Sequence, residues 1–368
     1  MTDAAPDRSF WQGRRVLLTG HTGFKGSWLA LWLMRLGAEV VGVSLDPPTT
    51  PSLCEQLGLG TSASLDPRSM GQLDDRRLDL LDQAALERLV RRFRPQVVLH
   101  LAAQSLVRAG YRQPLATWST NVIGTLHLLE ALRQAQQPCV VVAVTTDKVY
   151  ANSEGGVPFR EDDPLGGHDP YSASKAAMEL AVASWRQSFC GNEPHQNPGL
   201  RLVTARAGNV IGGGDWGQER IVPDLIRALK RGEAISVRNP GAVRPWQHVL
   251  DCLSGYLLLA ERVSQDPPQG SSFNFGPAQS EEHSVAALVQ ELLSHWPGSW
   301  QYCPDPQAVR ESHHLALDAS LARQQLDWHS RWGFAEAVAH TASWYRRQHE
   351  GASALALCLE QIACYEEG

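Results

Sequence analysis

Cysteine pairs, long apolar runs and a basic surface are what this sequence of 368 residues lacks. Its seven cysteines, Cys54, Cys139, Cys190, Cys252, Cys303, Cys358 and Cys364, are odd in number and never spaced as CxxC. That excludes a disulfide framework and a cysteine-built zinc site, and it fits thiols kept reduced in the cytoplasm. No run reaches the ~18 apolar residues of a membrane span, and "MTDAAPDRSF" carries acids before any apolar stretch, so neither a span nor a signal peptide is expected. Lys and Arg number 33 against 39 Asp and Glu, a net charge of -6 without a basic stripe, which argues against a nucleic-acid surface. His313 and His314 lack further spaced partners, so no metal site is expected. Any phosphate on a ligand must therefore be held by backbone groups and a few placed side chains.

What is present is alternation. Between residues 15 and 145, "RVLLT", "AEVVGVS", "QVVLHLAA" and "CVVVAVTT" are short apolar runs bounded by breakers, as buried strands are. Between them, "GSWLALWLMRLG", "DQAALERLVRRF" and "TNVIGTLHLLEALRQA" repeat apolar residues at helical spacing. Strand and helix in turn give the α/β class: a doubly wound parallel sheet of the Rossmann type. After "RLVTARAGNVIGGGDWG" the texture changes to glycine and proline clusters followed by helices. This predicts a cofactor domain over 10–210 and a smaller mixed α/β substrate lobe over 211–368, with segments near 242–275 returning to the sheet.

Strand "VLLT" runs into "GHTGFKG", so Gly20, Gly23 and Gly26 sit where a strand turns into a helix. There a backbone without Cβ atoms can approach a pyrophosphate, and the helix N-terminus offers unpaired N–H groups. The acid expected at the end of the second strand is replaced by Ser44, and no arginine lies between Val41 and Asp46 to meet a 2′-phosphate, which favours NAD over NADP. Asp79 is a candidate for the adenine amine or for a helix cap. Lys25 reads as a solvated first-turn side chain.

"YSASK" places Tyr171 and Lys175 four apart on one helical face, and "VTTDK" ends a strand upstream. An ammonium beside a phenol favours the phenolate, which makes Tyr171 a candidate base. Together with "HLAAQ", these motifs resemble the extended short-chain dehydrogenase/reductase family acting on nucleotide sugars, over nearly the whole chain. The resemblance implies that Tyr171 takes the proton of a sugar C4 hydroxyl, Lys175 holds the cofactor ribose, and Thr146 hydrogen-bonds the substrate oxygen. It implies cofactor contacts from Gly20, Thr22, Gly23, Phe24, Gly26, Ser44, Asp79, Leu80, Leu101, Ala102 and Ala103. Gln104, Arg108, Asn209, Arg244, Glu311 and His313 are the corresponding substrate candidates, Arg244 and Asn209 near a diphosphate and Arg108 for either phosphate or loop structure.

Asp147 follows Thr146 where family epimerases carry small or neutral residues, and in the 4,6-dehydratases it protonates the departing C6 hydroxyl. Most of those enzymes have glutamate next as the C5 base; Lys148 stands here, either as that base or as an electrostatic or structural residue. "TDK", "GHTGFKGSW" and "RAGNVIGGGDW" resemble the subfamily acting on CDP-glucose. The implied reaction converts CDP-D-glucose to CDP-4-dehydro-6-deoxy-D-glucose and water, feeding deoxysugar and polysaccharide synthesis with NAD recycled. The alternatives are a dehydratase acting on GDP-mannose or dTDP-glucose, a UDP-sugar 4-epimerase and, from another class, a cofactor-sensing binding protein without catalysis. The resemblance also implies a homodimer, or a tetramer built from it, through the helices around 114–135 and after Tyr171. The C-terminal "SALALCLEQIACYEEG" reads as an amphipathic helix that seals a subunit interface or lies on its own chain.

Overall fold

A computed structural model describes residues 5–60, 70–151, 156–277, 283–304 and 315–367. The chain enters a sheet with β1 (Arg15–Thr19), turns at Gly20 into α1 (Phe24–Arg35), and returns as β2 (Glu39–Ser44) and β3 (Gln72–Arg77). Helix α2 (Gln83–Phe93) leads to β4 (Val97–His100), and α3 (Gly124–Ala135) to β5 (Cys139–Val144). The long α4 (Pro170–Phe189) precedes β6 (Leu200–Ala207). Beyond it come α5 (Ile221–Arg231), α6 (Val249–Gln265), β7 (Ser272–Phe275), α7 (Phe334–His349) and α8 (Ala354–Glu367).

All seven strands pair in parallel, in the order β7-β6-β5-β4-β1-β2-β3. Strand order reverses between β1 and β4, so their connections leave on opposite faces and open a crevice beyond the carboxyl ends. Strands β4 and β5 are buried at every position, as a sheet covered on both faces requires. Ser272–Phe275 lies at the sheet edge and α6 packs against α1 and β5, so chain from beyond residue 240 belongs to the central layer.

Helix α1 is buried all round from Gly26 to Met34, including Trp28 and Trp32. Its outer face is covered by α8: Trp32 Nε1 and Arg35 Nε each donate to Glu366 at 2.9 Å, and the Tyr365 ring stands edge-on to Trp32 at 5.6 Å. The C-terminal helix thus lies on its own chain. Each large apolar side chain buried here contributes on the order of 2 kcal/mol.

The helical stretch before α3 is not continuous. An α-turn over Pro114–Trp118 passes into a π-turn over Ser119–Ile123, in which Asn121 is buried. Beside the crevice, three short ladders join Val210–Ile211 to Gln247–His248, Val243–Arg244 to His283–Ser284, and Ile235–Val237 to Trp300–Tyr302.

Candidate active site

The crevice deepens into a cavity of about 1360 Å³. Every catalytic and cofactor residue named from the sequence lines it, together with Gln104, Arg108, Asn209 and Arg244; Glu311 and His313 lie outside the described residues.

At one end, Gly23 caps α1 without a side chain. The three glycines are needed for different reasons. Gly20 has φ +80° and packs on the next connection: a Cβ there would stand 2.7 Å from Ala102 N. At Gly26 it would stand 2.1 Å from Gly20 O, so two backbones meet. At Gly23 the nearest atom would be 3.4 Å away, an ordinary contact. The protein itself therefore excludes a side chain at Gly20 and Gly26 but tolerates one at Gly23, where the cradle faces the cavity. A bare helix N-terminus behind a glycine without internal need suits a pyrophosphate. Thr22 and Ser44 pair through their hydroxyls at 2.6 Å on the flank of this cradle, and Asp79 accepts from Leu81 N at 2.9 Å, tying its own turn. The dinucleotide-shaped end of the cavity thus fits its residues.

Lys25 departs from its reading as a solvated side chain. Its ammonium turns inward to Tyr256 Oη at 3.5 Å and Cys252 Sγ at 3.6 Å on α6. Arg77 was missed because it sits on the neighbouring strand: the β2–β3 register sets it opposite Ser44, and it donates to Leu45 O at 3.0 Å and to Asp75 at 2.8 Å. Asp75 also receives His21 Nε2 at 2.8 Å, so His21 is fixed beneath the turn.

The middle of the cavity carries the chemistry. Helix α4 is opened by Asp169, which accepts from Tyr171 N and Ser172 N. Tyr171 and Lys175 are both buried. Burial pushes the Tyr171 phenol up to about 12, opposed by its hydrogen bond with Thr146 and by Arg220. Burial also pulls Lys175 down to about 7, against the pull of Glu179. Its ammonium donates to Val144 O at 2.9 Å. Arg220, from beyond β6, is thus a cation that eases ionisation of Tyr171 and that the four-residue spacing of Tyr171 and Lys175 does not reveal. Thr146 donates to Asp147 Oδ1 at 2.9 Å, and Lys148 Nζ reaches the same oxygen at 3.1 Å. Asp147 is buried with Oδ2 unpartnered among the described residues; a Cβ on Gly208 would come within 3.3 Å of that oxygen.

The far end is cationic. Arg244 is buried and Asn209 Oδ1 is a buried atom without a partner among the described residues. Arg220 pairs with Asp215 at 3.0 Å and donates to Ser105 Oγ at 3.2 Å. Glu219, held at φ +62°, lies 3.5 Å from Arg108 and 3.7 Å from Arg112. Gln104 spends its side chain on its own loop, bonding Leu106 and Thr117.

Sequence reading also missed Asn121. Its amide donates to Gln104 O at 3.1 Å and Ser174 Oγ at 2.9 Å, and its carbonyl accepts from Gln104 N at 2.9 Å. It fastens the cavity wall to α4, and only the break in helical period that the π-turn introduces could have signalled it.

A model of the NAD dependent epimerase/dehydratase family matches residues 16–276. A CDP-glucose 4,6-dehydratase of Salmonella typhimurium is 42% identical over 361 residues, 98% of each chain. A dTDP-glucose 4,6-dehydratase of Xanthomonas campestris is 31% identical over 89% of this chain and 92% of its own. Among solved structures, a UDP-glucose 4-epimerase of Thermus thermophilus in complex with NAD superposes with a TM-score of 0.74 at 26% identity, over 90% of this chain and 99% of its own.

Proposed function

Because the chain belongs to the NAD dependent epimerase/dehydratase family, we propose that it is an NAD-dependent nucleotide-sugar 4,6-dehydratase converting CDP-D-glucose to CDP-4-dehydro-6-deoxy-D-glucose and water. The observation that carries this is the Asp147–Lys148 pair set beside Thr146, in the same cavity as the glycine cradle and Tyr171. Residues up to about 210 form the larger part of the cofactor lobe, and the ladders beyond it frame the sugar nucleotide.

Gly20, Gly23 and Gly26 with the N-terminus of α1 hold the pyrophosphate of NAD, and Lys175 its ribose. NAD held there would supply a hydride acceptor for sugar C4 and a hydride donor for C6. Tyr171, hydrogen-bonded to Thr146, removes the proton of the C4 hydroxyl as the ketone forms. That ketone acidifies the C5 proton, and loss of the C6 hydroxyl then needs an acid as well as a base.

Asp147 and Lys148 supply both from one proton. As an ion pair they are carboxylate and ammonium; moving the proton along their 3.1 Å hydrogen bond gives a carboxylic acid and a free amine. A substrate that excludes water favours this neutral form, because separated charge is costly there. The amine takes the C5 proton while the acid gives its proton to the departing C6 oxygen, which leaves as water. That leaves carboxylate and ammonium; as C6 is reduced the Lys148 ammonium gives its proton back to C5, and the proton held by Tyr171 passes to Asp147, which restores the acid and the amine. Arg244, Arg220 and Asn209 hold the diphosphate.

The apolar residues Leu115, Trp118 and Ile123 before α3 and Leu180 on α4 are each exposed. They support a homodimer through these helices. Seven free cysteines suit a reducing cytoplasm, and among the described residues no helix is long and apolar enough to cross a membrane.

The test is incubation with CDP-, dTDP-, GDP- and UDP-sugars, scored by mass spectrometry for loss of water and by the alkaline absorbance of a keto-sugar. CDP-glucose alone should give product, without net NADH. Turnover of another nucleotide sugar in its place, or accumulation of NADH, overturns the reading.

A further inference from the structure

Behind the catalytic turn lies an ion pair that faces neither ligand. Glu179 and Arg206 are 3.0 Å apart, with side chains only 3% and 4% exposed. Glu179 sits one helical turn beyond Lys175, so Tyr171, Lys175 and Glu179 fall on one face of α4 at four-residue intervals. Arg206 comes from β6. Its Nε and Nη2 take one carboxylate oxygen each, both at 3.0 Å, and the forked geometry orients the pair.

Beyond a hydroxyl bond from Thr204 to Glu179 at 2.7 Å and one from Arg206 to Glu161 O at 3.0 Å, the pair holds the two ends of one segment. Thr145 Oγ1 donates to Glu179 at 2.5 Å, and Arg206 Nη1 donates to Tyr150 Oη at 2.9 Å. Between Thr145 and Tyr150 stand Thr146, which caps a single 3-10 turn, and the turn itself, Asp147–Val149, with Asp147 and Lys148 in it. Lys175 joins the same frame, since its ammonium bonds Val144 O, the carbonyl that precedes Thr145. Glu179 and Lys175 are therefore linked across one peptide unit and one hydroxyl.

We propose that Glu179 and Arg206 form a positioning pair, which clamps both ends of the Thr145–Tyr150 segment and sets the charge around the Lys175 ammonium. The proposal rests on the dehydratase reading for the roles of the clamped residues. A buried ion pair adds little net stability compared with apolar residues of the same size, so its presence here needs another reason. The clamp supplies one: an acid, a base and a hydroxyl on three consecutive residues keep their aim only if both ends of the turn are fixed. Charge supplies the second. Burial pulls the Lys175 ammonium toward neutrality, and Glu179 opposes this more than any other named group. The other titratable groups that act on or feel Lys175 are Lys25 on α1, which counts against the ammonium, and His100 on β4. His100 is held neutral, its pKa lowered to about 3 by burial and then by Lys175. From β5 the carbonyl of Val144 accepts from the ammonium.

The test compares Glu179→Gln, Arg206→Met, the double variant and the conservative Arg206→Lys. Two readouts are followed across pH: kcat/KM for CDP-glucose, and the calorimetric Kd of NAD, which needs no turnover. Removing Glu179 leaves Arg206 facing Lys175, so the alkaline loss of both readouts moves to lower pH by about one unit. Removing Arg206 leaves Glu179 unopposed and moves it to higher pH. The double variant, which also guards against misfolding from a lone buried charge, returns the limb near the wild-type position while kcat stays at least about tenfold down. Arg206→Lys keeps the limb and loses part of kcat, with KM unchanged. Limbs that stay put in all variants, or that move in the same direction in both single variants, overturn the pair. A wild-type protein that binds NAD but leaves CDP-glucose intact overturns the substrate reading instead, and the NAD titrations still decide the pair.

Discussion

The two ends of the cavity are built by different means. The end we propose for the cofactor is built on backbone: Gly20, Gly23 and Gly26 within one strand-to-helix turn. The end proposed for the substrate is charge brought from afar: Arg108 from one connection, Arg220 with Glu219 from another, Arg244 from a third, each engaged by a carboxylate or a carbonyl. A backbone cradle fails all at once when an atom is added. An array of paired arginines changes by degrees, because each cation can exchange one anion for another.

Variants placed along the cavity test that contrast. Gly26→Ala should have the largest effect, since its Cβ would meet Gly20 O at 2.1 Å. NAD binding is lost below calorimetric detection and the urea midpoint falls; a variant that still binds NAD tightly would show that the turn is not rigid. In the middle, Asp147→Asn should lower kcat by about 10²- to 10⁴-fold. Reduced cofactor should accumulate in a single-turnover experiment, because oxidation at C4 proceeds while elimination stalls; absence of that absorbance rise removes the acid role. Gly23→Ala should leave the urea midpoint almost unchanged, as its Cβ would make only a 3.4 Å contact, yet weaken NAD about tenfold through lost approach of the backbone. Equal losses in fold and affinity would erase the distinction between internally required and ligand-facing glycines. Smallest of all, Glu219→Gln frees Arg108 and Arg112 from half-exposed pairs and should lower KM for the nucleotide sugar by about threefold or less, in keeping with the modest energy of such pairs. A rise in KM would mean that Glu219 holds these arginines in place for the substrate.

The same contrast governs how much could be read beforehand. The strand-to-helix turn was legible because its glycines are neighbours in sequence and their spacing has one steric meaning. "YSASK" and "TTDK" were legible for a similar reason, each lying within a turn of helix or a strand end. Arg220 beside Tyr171, Arg77 beside Ser44 and Glu219 beside Arg108 were not, because each pairing depends on strand register or on loops from different lobes. Lys25 misled because a first-turn lysine usually points to water, and only the placement of α6 shows Tyr256 and Cys252 waiting for it. Gln104 was legible as a residue of the cavity wall, while its bonds to Leu106 and Thr117 were not. The π-turn at Asn121 left no composition signal, since the surrounding residues keep ordinary helical character.

The cover that α8 places over α1 joins residues 334 positions apart, Trp32 and Glu366. On the ribosome this becomes a matter of order. At about 5–20 residues per second, the apolar outer face of the cofactor helix stays bare for roughly 15 to 70 s before its cover is made. During that interval α8 cannot yet shield Trp32. In the cell, that exposed helix is where a chaperone has most reason to wait.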